Sequence, residues 1–195
     1  MKLKIYKLAS VALVLGMMGA CKPAPAILTG EIKDYRGGMT ECMIKTDTDV
    51  IEDSLQMNAD GTFSYTRDFP EGAEIWLTSE DAQGFVRLYL KNGDKQHVIL
   101  TASADSIYGR CDVIFSGDTK SSEYLWAFDH EFGSLTKWTV REAGKYQSFK
   151  EYKAAIDATA DQLRTQLEAT KDKKFIAYEQ KKLEKKHILK MKYKN

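Results

Sequence analysis

The sequence predicts an α+β protein, an antiparallel β-sandwich or open barrel over residues 27–117 followed by a C-terminal helical hairpin within residues 118–195. Two observations predict it. Between Ile27 and Phe115, short runs of branched and aromatic residues recur roughly every 8 to 12 residues with turn residues between them, the pattern of an all-β unit. Beyond Asp118 the apolar residues fall at helical spacing instead.

Residues 1–20 read as an export signal. Lys2, Lys4 and Lys7 precede an apolar run from Leu8 to about Met18. That run is shorter than the ~20 apolar residues a bilayer span needs, and it suits a secretory signal peptide. Met18-Gly19-Ala20-Cys21 resembles the bacterial lipobox, whose cysteine is diacylated and becomes the new amino terminus; Met18 stands where that motif prefers leucine. The resemblance implies a lipoprotein of the cell envelope, anchored through Cys21 and facing the periplasm from the outer membrane. Residues 21–26 (Cys-Lys-Pro-Ala-Pro-Ala) form a short stiff tether. They lack the acidic residues that act as a surface-export signal in some lipoproteins. Loss of residues 1–20 takes the formal net charge from +1 to −2. Neither that balance nor an exported location suits nucleic acid. With 43% hydrophobic residues and three prolines, the sequence is that of a folded chain.

Eight strands are expected, at 27–33, 40–45, 50–57, 62–68, 73–79, 85–91, 96–101 and 106–115. Asn58-Ala59-Asp60-Gly61 joins two of them, and Gly61 can take the positive φ of a tight hairpin. Asn92-Gly93-Asp94 is read as a second hairpin turn. Val86, Leu88 and Leu90 share one face of their strand and Arg87 points to the other, which reads as a sheet with one buried side.

Asp118 is expected to cap a helix with Tyr124, Leu125, Phe128, Phe132 and Leu135 on one side, ended or kinked by Gly133-Ser134. Ser148 and Glu151 have capping-box spacing. They open a longer helix whose narrow apolar seam is Phe149, Tyr152, Ile156, Ala160, Leu163 and Leu167. A last helix runs from Lys173 with Phe175, Ile176, Leu183 and Leu189, and a turn near Thr170 to Asp172 folds the two into a hairpin packed seam to seam.

Gly30 in Leu28-Thr29-Gly30-Glu31-Ile32, the turn Asp60-Gly61-Thr62-Phe63-Ser64-Tyr65, and Ile114-Phe115-Ser116-Gly117-Asp118 before a helix occur in that order. Together they resemble the amino-terminal β-rich domain, of unknown function, of thioredoxin-like lipoproteins in the thiol–disulfide oxidoreductase class. The resemblance spans nearly all of residues 27–195 and implies a β domain followed by a helical linker. In that family a thioredoxin domain with a Cys-x-x-Cys site comes next. The chain reaches Asn195 where that domain is expected to start, so none of the family's catalytic cysteines maps onto it.

The remaining chemistry is sparse. Cys42 and Cys111 have no Cys-x-x-Cys spacing. In an oxidising compartment they form either a structural disulfide or two separate buried thiols, the second being favoured. His97, His130 and His187 show no metal-ligand spacing, so no metal is expected. Asp129-His130-Glu131 diverges by 100° per residue and reads as a solvated helix face. Glu80-Asp81 reads as ordinary turn residues. With no nucleophile elbow, phosphate loop or dinucleotide fingerprint, no catalytic residue and no cofactor is assigned. Trp76, Trp126 and Trp138 are the candidate ligand contacts, since exposed indoles stack on sugars or grip peptides. The competing account packs them between sheet and helices. Ten lysines within residues 171–195 form either a solvated face or a surface for anionic headgroups. The expectation is therefore a non-catalytic, lipid-anchored envelope protein, an accessory or binding domain for an envelope protein, peptide or glycan. A fragment of an oxidoreductase and an enzyme with a distributed site are the weaker alternatives.

Overall fold

The computed structural model describes residues 23–46, 49–103, 109–133 and 135–185, with side chains except at 135–137 and 183–185. All eight strands are present: β1 (Ala26–Ile32), β2 (Thr40–Lys45), β3 (Val50–Ser54), β4 (Thr62–Arg67), β5 (Ala73–Ser79), β6 (Gly84–Leu90), β7 (Lys95–Ala102) and β8 (Cys111–Gly117). They form two four-stranded sheets in the orders β4-β1-β7-β8 and β3-β2-β5-β6. Alternate residues of both sheets point into one core. Leu28, Ile32, Phe63, Val98 and Leu100 from the first sheet meet Ile44, Ile75, Leu77, Val86 and Leu88 from the second. The fold is a β-sandwich, and with its helices it is α+β.

Three details depart from the sequence reading. First, β1 and β7 pair in parallel, Ile27 opposite Lys95 through Ile32 opposite Leu100. The chain between them has gone over to the second sheet and come back, and such a crossover allows parallel pairing. Second, the two expected hairpin turns are corners between sheets. Gly61 has φ +82°, Asn58 donates its N–H to the Thr62 carbonyl at 2.8 Å, and Met57 bridges Phe63. Below that tip the strands separate, β3 to one sheet and β4 to the other. Asn92-Gly93-Asp94 likewise carries the chain from β6 to β7, across the sandwich. Third, β6 is buried on both faces, because a helix lies over Arg87 and Tyr89.

That helix is α1 (Lys120–Phe132). It also completes an edge strand, where unpaired backbone groups are a liability. Ser122 Oγ accepts the Tyr89 N–H at 3.0 Å and donates to Gln96 Oε1 at 2.8 Å. Gln96 Nε2 in turn donates to the Tyr89 carbonyl at 2.8 Å. The N-cap is Thr119, not Asp118. Asp118 is engaged by β7 instead: its N–H donates to the Lys95 carbonyl, and its Oδ2 accepts the Lys95 N–H, at 3.0 Å. Gly133 ends α1 at φ +61°.

The chain then re-forms a helix, α2 (Leu135–Ala143), in a stretch to which the sequence reading assigns no helix of its own. The Trp138 ring meets Phe132 edge-on at 5.2 Å, which docks α2 on the end of α1. In α3 (Phe149–Ala169), Ser148 Oγ accepts the Glu151 N–H at 3.3 Å. The reciprocal bond goes one residue earlier than a capping box requires, from the Gln147 N–H to Glu151 Oε2 at 3.2 Å. Ile156, Leu163 and Leu167 of the seam are buried, but Phe149 is 73% exposed, so packing of the seam begins after the first turns. A turn at Thr170–Asp172 leads into α4 (Lys173–Lys185). Asp172 Oδ1 caps it by accepting the N–H groups of Lys174 (3.1 Å) and Phe175 (3.2 Å). Leu167 and Phe175, on either side of the turn, both enter the cluster around Tyr89, Tyr124 and Leu125. The expected Leu183 contact and Leu189 lie outside the described side chains. The helical region is thus held to the sheet by a shared core.

Gly30 in the first sheet is fixed by close approach. A Cβ there would sit 2.4 Å from Phe63 Cζ and 2.6 Å from the Val98 carbonyl. Gly30→Ala is therefore expected to destabilise the fold by about 1–3 kcal/mol in urea unfolding. Gly144→Ala, whose nearest non-local atom is 3.8 Å away, should be nearly neutral.

Candidate functional site

The densest chemistry lies on the outer face of the second sheet. Residues alternate along β5 and β6, so Glu74, Trp76, Arg87 and Tyr89 point away from the core, with Trp76 opposite Arg87 and Glu74 opposite Tyr89. Helices α1 and α4 cover them. Arg87 makes a bidentate pair with Asp129 of α1, Nε to Oδ2 at 2.5 Å and Nη2 to Oδ1 at 2.6 Å. Its Nη1 donates to Glu74 Oε1 at 3.2 Å. Glu74 also accepts from Trp76 Nε1 at 2.6 Å, from Lys182 Nζ at 2.6 Å and from the Tyr178 hydroxyl at 3.4 Å. Lys182 Nζ bridges on to Glu179 at 2.5 Å. Arg110 stands 3.9 Å from Asp129 and lies over the Phe85 ring at 4.9 Å.

Three acids and three bases thus sit together, nearly all buried. Isolated, each would cost several kcal/mol to desolvate; paired, they raise or lower one another's proton affinity. Burial pushes the Glu74 carboxyl up, but Arg87 and Lys182 outweigh it and hold it at about 2. Burial pulls Arg87 down, and its bonds to Asp129 and Glu74 more than restore it, leaving it above its ordinary value. The Tyr124 hydroxyl is buried without a hydrogen-bond partner among the described residues, and burial together with Glu179 pushes its proton affinity up. Chemically the cluster is a fastener: its charges are spent on one another.

Asp129, expected on a solvated helix face, is therefore a buried counter-ion, because Arg87 faces it. His130 turns the other way, with Nδ1 3.2 Å from the Trp126 carbonyl and Nε2 3.9 Å from Asp112. His97 is half-buried with Nδ1 3.0 Å from Thr29 Oγ1, and His187 lies outside the described residues. Among the described residues no group of three His, Cys, Asp or Glu side chains is placed to hold a metal. Glu80 and Asp81 tie down the loop after β1: Asp81 Oδ2 accepts the N–H groups of Arg36 and Gly38, and Glu80 Oε2 that of Met39, each at 2.9 Å.

None of the three tryptophans stands exposed; each is half-buried and in ring contact. Trp76 alternates with core residues Ile75 and Leu77 and points off the core face, but it stacks on Phe85 at 5.2 Å. Trp126 packs edge-on to Phe115 at 6.4 Å and donates Nε1 to the Cys111 carbonyl at 3.2 Å. Trp138 rests on Phe132. Cys42 and Cys111 are free, buried thiols in different sheets. Burial pushes Cys42 up to about 11 and Cys111 to about 12, so neither is a thiolate near neutrality.

The exposed apolar chemistry lies elsewhere. At the corner between α2 and α3, Tyr146, Phe149 and Tyr152 form a ring cluster with centroid spacings of 6.1 and 6.4 Å. The Tyr152 hydroxyl donates to the Thr139 carbonyl at 3.2 Å, beside an exposed Val140. A groove of about 660 Å³ also runs between the β4–β5 turn and α4, along Phe69, Pro70, Ala177 and Tyr178. Sequence reading missed both the corner and the ionic cluster. The signal for the cluster was a charge within each of two apolar strands, Glu74 in Ala-Glu-Ile-Trp-Leu and Arg87 in Phe-Val-Arg-Leu-Tyr-Leu.

A scan of protein-family models gives no match to the chain, and a search of curated proteins gives none either.

Removing one partner of the buried pair should be costly. Arg87→Ala strips buried Asp129 of its bidentate partner, leaving it only Arg110 at 3.9 Å, and leaves Glu74 with Lys182 as its one cation; it is expected to lose about 3–5 kcal/mol in chemical denaturation. Because Glu74 is held below its ordinary 4.5, its stabilisation is complete above that pH and is lost as pH falls towards 2. Thermal unfolding from pH 6 to 2 should show a steeper loss in the wild type than in Glu74→Gln. Both thiols should resist a thiol-specific disulfide reagent in the native state and react fully on unfolding; rapid native reaction would contradict their burial.

Proposed function

We propose that this chain is a lipid-anchored domain of the cell envelope that binds rather than catalyses, the accessory domain of a thioredoxin-like lipoprotein. The observation that carries the binding reading is the contrast between its two kinds of surface chemistry. Charged side chains on the sheet are locked into a fastening cluster, whereas Phe149, 73% exposed, stands free with Tyr146 and Tyr152 beside it. A solvent-facing aromatic group of this kind is the chemistry of recognition, offering large apolar area at little entropic cost. The half-buried state of Trp76, Trp126 and Trp138 moves the candidate contact from the tryptophans to this corner. An envelope protein or peptide with an apolar segment is the favoured partner; a glycan stacked on Tyr146 or Phe149 is the alternative. Two buried, fully protonated thiols in separate sheets supply no dithiol couple.

Expression in a bacterial host with radiolabelled palmitate should label the wild-type protein and place it in the membrane fraction. Cys21→Ala should abolish both, and an unlabelled wild type would end the lipoprotein reading. In an insulin-reduction assay the mature chain is expected to show no turnover. Turnover lost in Cys42→Ser or Cys111→Ser would reverse the non-catalytic reading.

A further inference from the structure

An edge strand presents unpaired N–H and C=O groups that can take up another strand. On one side of the sandwich α1 uses such groups: Ser122 accepts the Tyr89 N–H of β6, and Trp126 donates to the Cys111 carbonyl of β8 at 3.2 Å. On the other side the edges are β3 and β4, joined where Asp53 accepts from Tyr65 at 2.8 Å and from Arg67 at 2.5 Å. Four of the five residues of β3 are exposed.

The register fixes which groups are open. Thr46 donates its N–H to the Asp49 carbonyl at 2.9 Å, so these two are a hydrogen-bonded pair of the β2–β3 ladder. By alternation so are Ile44 with Ile51 and Cys42 with Asp53. Val50, Glu52 and Ser54 therefore turn their backbone groups outward. Asp53 Oδ1 takes the Ser54 N–H at 2.8 Å, whereas both groups of Val50 and both of Glu52 have no partner among the described residues. On β4 the same alternation leaves Ser64 and Thr66 open, with small neutral side chains.

Side chains decide which strand fits. Cys42 and Ile44 enter the core, so Glu41, Met43 and Lys45 lie on the outer face, opposite Ser54, Glu52 and Val50. Val50 is 65% exposed and Ile51 38%. The described part of this ribbon carries Glu41, Asp49, Glu52 and Asp53 against Lys45 alone. Arg67 reaches it from β4 but is held by Asp53. Lys174 and Lys181 of α4 stand across a groove from Thr46, Lys174 being 3.6 Å from Glu71. Glu41, Asp49 and Glu52 are exposed and in no ion pair among the described residues. A second copy of β3 fits poorly, because antiparallel pairing along the whole strand sets Glu52 opposite its own equivalent, and like charges directly opposite destabilise. We propose that β3 takes up an extended peptide segment as an added strand, with an apolar residue opposite Val50 and a lysine or arginine opposite Glu52. Main-chain bonds to Val50 and Glu52 supply the pairing, and alternate side chains supply the selectivity. This surface is separate from the Tyr146–Phe149–Tyr152 corner and needs no lipid anchor.

Residues 21–195 with Cys21→Ser, titrated with the capped peptide Thr-Thr-Lys-Val-Ile-Lys and followed by amide NMR, test it. In antiparallel register that peptide sets its first lysine opposite Glu52 and its isoleucine opposite Val50. Amide exchange at Val50 and Glu52 is expected to slow about tenfold at saturation, while Ser64 and Thr66 keep their free rates. Methylating the backbone nitrogens of that lysine and the isoleucine should abolish the effect. Glu52→Lys should weaken the lysine peptide about fivefold and strengthen its counterpart with glutamate for lysine. No binding at millimolar peptide, or slowed exchange at Ser64 and Thr66 instead, would overturn the assignment of β3. Equal binding of the methylated peptide would overturn strand addition, and an unchanged affinity in Glu52→Lys would overturn the charge preference.

Discussion

The bidentate pair between Arg87 and Asp129 is the contact on which the arrangement of the molecule depends. It joins the outer face of a sheet to α1, and through Glu74 and Lys182 it reaches α4 as well. A buried ion pair is a poor source of net stability, since desolvation offsets most of the attraction. Its value here is positional. Arg87 has one carboxylate on its own sheet and one on a helix, so a helix docked in another register would leave the guanidinium's Nε and Nη2 buried without the Asp129 carboxylate.

Apolar packing supplies the area that the ion pair directs. Tyr89 lies beside Arg87's end of the strand, and its ring meets Phe175 at 4.8 Å and Tyr178 at 5.7 Å, so β6, α1 and α4 share one cluster. Ser122 satisfies the Tyr89 N–H on the edge of the same strand. One short stretch of β6 thus faces the sandwich core on one side, the helical cluster on the other and a helix hydroxyl along its edge. This explains why the sandwich and the helices behave as one packed body rather than a sheet with an appendage.

The arrangement also gives the molecule two unlike ends. Residues 24–27 are hydrogen-bonded to the β6–β7 corner, and α3 spans about 30 Å from the α3–α4 turn to an exposed aromatic corner.

Strand positions, fold class and the positions of α1, α3 and α4 were legible in the sequence, because each depends on local periodicity and on turn residues such as Asn58-Ala59-Asp60-Gly61 and Asn92-Gly93-Asp94, whereas α2 was not. Spacing placed Ile156, Leu163 and Leu167 on one seam with Phe149, Tyr152 and Ala160, and packing buried only the first three. What local pattern leaves open is which strand a turn leads to: an identical Asn-Gly-Asp serves a hairpin or a corner between sheets, and the parallel pairing of β1 with β7 joins segments more than sixty residues apart. The candidate site was less legible for the same reason. Glu74, Arg87, Asp129 and Lys182 are scattered across the chain, and a charge within an apolar strand signals only that a counter-charge must exist. The sequence by itself determined the elements and their apolar faces, since those are set by residues a few positions apart. Only the tertiary structure decided that Asp129 is buried, that the tryptophans are packed and that Phe149 is free, because burial depends on what distant parts of the chain bring to cover a side chain.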